Sequence, residues 1–347
     1  MSSKVYTLKR FLCMILAAML AVGCGKDSPS EAGKVLEVED FEIKGLTPYN
    51  FPFIDCSTST GPLRDMVMFS LLDVPYFWAL NVVTGSHYEV GFMLPEGMAQ
   101  GSVEHKAFAN RMLELRKANG SHEAYVNLID GVTDVIIDSR DISRNEEKYA
   151  GEKHVKVETK PLAWDALVFI VHPDNKVKSL TQEQIRKIYT GEITNWKTVG
   201  GKNLEIHAYT RNVDSGSQEK METLVMNGHK MIDNPVYMGG MMLSPYLSIE
   251  NDPGGIGYTP YYFCESMVRD LHAVKVIAVD GTRPTSKSIM KAVKGEKGGY
   301  PYFSHIYAAI RSDEPEGTFA RQIYTWLSTP RAKDIIDESG YLSMRRF

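Results

Sequence analysis

Apolar positions in this chain switch between two periods. Residues 63–72 repeat at helical spacing behind Pro62, which suits a first helical turn because its missing N–H would have no partner there. Residues 103–117 show the same spacing and stop at Asn119-Gly120. Residues 181–189 read as a helix with Thr181 as N-cap and Gln184 three positions on. Two more amphipathic helices are expected at 317–327 and 330–339. Between these lie short apolar runs at 134–137 and 166–171, the length of strands buried on both faces. Further strands are expected at 51–55, at 204–210 and from Gly254 into Tyr258. The alternation predicts an α/β chain with mostly parallel sheets, long enough for about two domains.

The first 23 residues follow another pattern. Lys4, Lys9 and Arg10 form a basic start, residues 11–21 an apolar run too short to span a bilayer, and Gly23-Cys24 a small-residue cut site. This predicts a lipoprotein signal over 1–23, with Cys24 as the acylated first residue of the mature chain. Ala21 stands where Leu is commoner, and an ordinary secretory signal is the other reading. Residues 24–40 read as a flexible tether. The expected location is the cell membrane, lipid-anchored, facing the periplasm or the exterior. Removing the signal shifts the formal net charge from −4 to −7, which argues against nucleic acid as a partner. Cys13 leaves with the signal, so Cys56 and Cys264 remain and are read as buried thiols.

The chemistry concentrates at Arg211-Asn212-Val213-Asp214-Ser215-Gly216-Ser217-Gln218, ahead of a helix expected at 219–226. A helix start carries unpaired N–H groups and partial positive charge, and the hydroxyls and guanidinium add donors for an oxyanion. Ser215 with Gln218 also fits a capping box, which needs no ligand. The chain has no Gly-x-Ser-x-Gly elbow, no Gly-x-x-x-x-Gly-Lys loop and no His-Glu-x-x-His helix. Its histidines have no metal-ligand spacing, and neighbours such as His122 and Glu123 do not share a helix face. No enzyme activity, cofactor or metal is expected.

Several of these pieces occur in a familiar order: Trp164-Asp165-Ala166-Leu167-Val168-Phe169-Ile170-Val171, Ile193-Thr194-Asn195-Trp196, Val199-Gly200-Gly201, the 211–217 segment, Gly239-Gly240-Met241, Gly255-Ile256-Gly257-Tyr258 and Gly340-Tyr341. The chain resembles the phosphate-binding proteins of bacterial phosphate-specific ABC transporters, densely over 160–347 and more thinly over 50–150. The resemblance implies a two-lobed, type 2 periplasmic-binding-protein fold, each lobe a doubly wound, mostly parallel sheet, with a ligand cleft between them. The lobes would be 41–168 plus 262–347, and 169–261, with crossings near 169–171 and 258–261. It further implies ligand contacts from Thr58, Ser59, Ser121 and Ser139 in the first lobe and from Arg211, Ser215, Gly216 and Ser217 in the second. Arg140 is counted among these ligand contacts too, with pairing to a surface carboxylate as the other reading. Cys56, His122, Glu123 and Asp214 replace smaller residues common in the family. Phosphate keeps an O–H that sulfate lacks, so a fixed carboxylate would select it. Asp55, Asp138, Asp141 and Asp214 all lie near the candidate loops, and no motif chooses among them. The implied function is a monomeric, lipid-anchored receptor that passes inorganic phosphate to an ABC permease. The alternative is an oxyanion-binding signalling or adhesion protein on the same fold.

Overall fold

The computed structural model describes residues 38–213, 215–232 and 241–345. The signal segment, Cys24, the tether up to residue 37, Asp214 and the Gly239-Gly240 pair lie outside the described residues. The chain runs β1 (Ile54–Cys56), α1 (Gly61–Leu71), β2 (Tyr76–Leu80), β3 (Tyr88–Phe92), α2 (Val103–Leu115), α3 (Ser121–Ile129), β4 (Val135–Asp138) and α4 (Arg144–Glu152). It continues through β5 (Val157–Val171), β6 (Ser179–Leu180), α5 (Gln182–Tyr189), β7 (His207–Ala208), α6 (Gly216–Lys220), α7 (Ser244–Glu250) and β8 (Gly255–Pro260). Last come β9 (Lys275–Val276), β10 (Ala278–Val279), α8 (Ser286–Val293), β11 (Phe303–Arg311), α9 (Phe319–Trp326), α10 (Pro330–Ser339) and β12 (Leu342–Ser343).

The central sheet has the order β1-β4-β11-β5-β8-β7, with β9 and β12 also on β5. Strand β5 is shared between two half-sheets. From Val157 to Ala166 it pairs with β11; from Leu167 to Val171 it pairs with β8. Strand β5 thus changes partner between Ala166 and Leu167, from β11 in the first half to β8 in the second. Leu167 and Val168, counted in the first lobe by the sequence-based division, pair with Pro260 and Thr259. Strands β9 and β10 pair with the end of β5 and with β6, so residues 275–279 also belong to the second half. Asp165 fastens the two passages together, its Oδ1 accepting the Tyr262 N–H at 3.0 Å.

Strand direction departs from the mostly parallel expectation. Pairs β1–β4, β7–β8 and β6–β10 are parallel, but β11 runs antiparallel to both neighbours and β5 runs antiparallel to β8. A continuous apolar run reports burial on both faces and says nothing of direction. The strand expected at 204–210 contracts to His207–Ala208, and the one at 51–55 moves to Ile54–Cys56.

Residues 166–171 are fully buried and form the middle of the core. Phe169 meets Tyr189, Tyr258 and Tyr302 at ring separations of 5.9–6.4 Å, joining α5, β8 and the segment before β11 at the passage point. Such edge-on aromatic contacts add about 0.5–1.5 kcal/mol each to burial. Trp196 is also buried and donates to the Gly254 carbonyl at 2.9 Å. A Cβ at Gly201 would stand 2.9 Å from the Trp196 Cβ, so the Asn-Trp and Val-Gly-Gly pieces belong to one packed corner. Cys56 and Cys264 are both buried and free. Among the described residues no helix is long and apolar enough to cross a membrane.

Candidate functional site

The carboxyl ends of β1 and β4, parallel neighbours, carry the first-half loops of the site. After β1 the chain turns through residues 57–60 into α1. Thr60 stands at the N-cap, but its hydroxyl donates to the Ile137 carbonyl at 2.6 Å and lies 2.7 Å from Ser57 Oγ. That ties the turn to β4 and leaves α1 with no side-chain cap. Tyr341 supports the same turn from the far end of the chain, its hydroxyl donating to the Ser59 carbonyl at 3.1 Å. Helix α3 begins behind Gly120, at φ 88°, where a side chain would be strained, and it too has no side-chain cap. Asp55 aims this second loop by accepting from the Asn119 N–H (3.1 Å), the Asn119 Nδ2 (2.7 Å) and the Asn127 Nδ2 (3.1 Å).

The contrast with other helices is instructive. Ser102, Ser143, Thr181, Thr285, Thr318 and Thr329 cap α2, α4, α5, α8, α9 and α10, each accepting a backbone N–H of its first turn. The sequence supplies hydroxyl caps readily, yet α1, α3 and α7 start without one. Of these, the start of α3 and the turn before α1 line the cavity.

The second half contributes residues 211–217. Ser215 caps α6, accepting the Gln218 N–H at 3.1 Å. The capping box is only half formed, because the Gln218 amide turns away. Its Oε1 accepts from the Tyr258 hydroxyl and from the Arg211 N–H at 3.2 Å, and its Nε2 donates to Glu222 at 2.8 Å. Gln218 thus braces Arg211, which is buried and places Nη1 3.8 Å from the Met242 sulfur.

These loops enclose a cavity of about 290 Å³. Thr58, Ser59, Ser121, Ser139, Arg211, Ser215, Gly216 and Ser217 all line it. So do Ser57, Asn119, Gly120, His122, Glu123, Asn212 and Met242. Gly216 marks a close approach of the two halves: a Cβ there would overlap Ser139 Oγ and sit 3.1 Å from Ser121 Oγ. Asn119 escapes sequence reasoning because Asn-Gly reads as the end of a helix. Met242 has no polar signal at all.

Arg140 is the exception among the candidates. It does not line the cavity; Nη1 and Nη2 meet Glu146 Oε2 and Oε1 at 2.7 and 2.6 Å, and Nε stands 2.7 Å from Glu219. Of its two readings, the structure shows the carboxylate pair, formed because a buried guanidinium requires counter-charge. The four aspartates also separate. Asp55 is a loop anchor, and Asp141 Oδ1 accepts the next residue's N–H at 2.8 Å. Asp138 is fully buried, and burial pushes its carboxyl up to about 6 against the pull of Arg140. Asp214 lies outside the described residues. Among the described residues, the carboxylate in the cavity lining is Glu123.

Residues 101–329 match the family model described as the PBP superfamily domain. The chain belongs to that superfamily. The phosphate-binding protein PstS of Borreliella burgdorferi is 26% identical over 234 residues, covering 66% of this chain and 78% of that protein. PstS of Staphylococcus saprophyticus is 32% identical over 181 residues, and there the chain spans about half of the relative's length, 54%. The fold is shared with a Clostridium perfringens protein solved with bound phosphate (TM-score 0.59, 21% identity, 85% of this chain and all of that one). It is shared also with an ABC-type phosphate transport receptor from Vibrio cholerae (TM-score 0.55, 23% identity, 84% of this chain and 99% of that one).

Proposed function

We propose that this chain captures inorganic phosphate in the cavity between its two halves and delivers it to an ABC permease, held at the membrane face by lipid on Cys24. One observation carries the reading. The hydroxyl-rich turn before α1 and the uncapped start of α3 from the first half, and buried Arg211 with the Ser215–Ser217 turn from the second, line a single cavity. A dianion leaves water only when paired and fully hydrogen-bonded. Helix termini contribute about 0.3–2 kcal/mol each, and hydrogen bonds to a charged group about 1.5–3 kcal/mol each. The cavity offers donors from both halves, so the anion itself would favour closure. The names of the relatives point to the same ligand.

Calorimetric titration of the chain from residue 25 with phosphate, sulfate and other oxyanions tests this. Micromolar or tighter phosphate binding, weak sulfate binding and no turnover of phosphate esters are expected. Equal binding of sulfate, or ester hydrolysis, contradicts the reading. Arg211→Ala should weaken phosphate binding by about 2–5 kcal/mol; unchanged affinity removes Arg211 from the site.

A further inference from the structure

Beside the cavity, the two halves meet a second time through charge. Both oxygens of fully buried Glu146 hold Arg140 to the first half, at 2.6 and 2.7 Å. The edge nitrogen Nε then lies 2.7 Å from Glu219 Oε2, on α6 of the second half, where the Glu219 side chain is about one-third exposed (32%). The Nε–H is not directed at that oxygen, so the contact is an ion pair without an aligned hydrogen bond. Ser139, the residue before Arg140, and Gly216, three residues before Glu219, approach each other in the cavity wall. The segments 139–140 and 216–219 are thus joined twice, once around the anion and once outside it.

We propose that Arg140 and Glu219 form a clasp that holds the two halves together over the anion and sets its residence time without touching it. This rests on the anion-binding reading above. Removing Glu219 leaves Arg140 paired to Glu146, so no buried charge is stranded and the fold survives. The sign of the effect separates a clasp from a plain field effect. Glu219 carries negative charge near an anion site, so field alone predicts that Glu219→Gln tightens binding. A clasp predicts weaker binding through faster release.

Stopped-flow kinetics with inorganic phosphate on the chain from residue 25 decides between them. Glu219→Gln should release phosphate about three- to tenfold faster, as expected for a partly exposed pair, with association within about twofold of wild type. The unfolding midpoint should not move. Glu219→Asp, which keeps the charge but shortens the arm, should also release faster. Unchanged or slower release from either variant overturns the clasp. Small-angle scattering of the ligand-free proteins tests it independently: Glu219→Gln should have the larger radius of gyration, and identical radii also overturn it. Failure of wild type to bind phosphate defeats the ligand reading instead, and scattering still decides the clasp.

Discussion

Gly216 shows how one residue can set the distance between two halves of a protein. Its φ is not among the positive values found at Gly120 or Gly200, so the requirement is for space rather than for an unusual backbone. An added methyl would collide with the Ser139 hydroxyl and press on Ser121, both cavity residues. Gly216→Ala should therefore cost about 1–3 kcal/mol of phosphate affinity, the usual penalty for overpacking. Calorimetry at neutral pH checks this, and retention of wild-type affinity shows that Ser139 can turn aside. Sequence reading reaches Gly216 only through the family resemblance. It gives no hint that the opposing surface comes from a strand end far earlier in the chain.

At the scale of elements, the site depends on where helices begin. The starts of α1 and α3 are fixed by hydrogen bonds to other elements: Thr60 ties its own turn to β4, and Asp55 in β1 ties the loop before α3. Asp55→Ala removes the acceptor shared by exposed Asn119 and half-buried Asn127. It should destabilise the fold by roughly 1–3 kcal/mol. Phosphate affinity should fall as well, because α3 loses its aim. Denaturant unfolding alongside a phosphate titration measures both; lost stability with intact affinity would separate the anchor from the site. The long strand β5 is the other decisive element. Residues 166–171 stand out by their apolar run, but the half before them alternates and reads only as flanking sequence. The exchange of partners at Ala166–Leu167 has no local signature.

For the molecule as a whole, the clasp makes release depend on pH. Burial first, with Glu146, Asp138 and Glu222 adding to it against Arg140, holds the Glu219 carboxyl above its ordinary range. Burial would raise Glu146 too, but its hydrogen bonds from Arg140 bring it below that range. The sign follows directly: the clasp needs ionised Glu219, so it is present above the raised value and lost as pH falls through it, while Glu146 still holds Arg140. Release from wild type should approach that of Glu219→Gln as pH is lowered from 7 toward the ordinary carboxylate range. Taking the ratio of the two proteins cancels the titration of phosphate itself. A ratio independent of pH would show that Glu219 does not titrate in this window.

The sequence by itself determined which short segments carry hydroxyl, glycine and guanidinium groups next to helix starts; that they share an anion site is what the resemblance implies. Hydroxyls ahead of helix starts, a glycine before α3 and an arginine near the Ser-Gly-Ser turn act over a few residues, and local hydrogen bonding suffices to recognise them. It also determined α/β alternation, because burial periodicity is written along each element. Only the tertiary structure decided strand direction, the point where β5 changes partners, and the fate of Arg140. Each of those depends on a partner brought from a distant part of the chain. A guanidinium is drawn to whichever carboxylate the fold buries beside it, and for Arg140 those are Glu146 and Glu219.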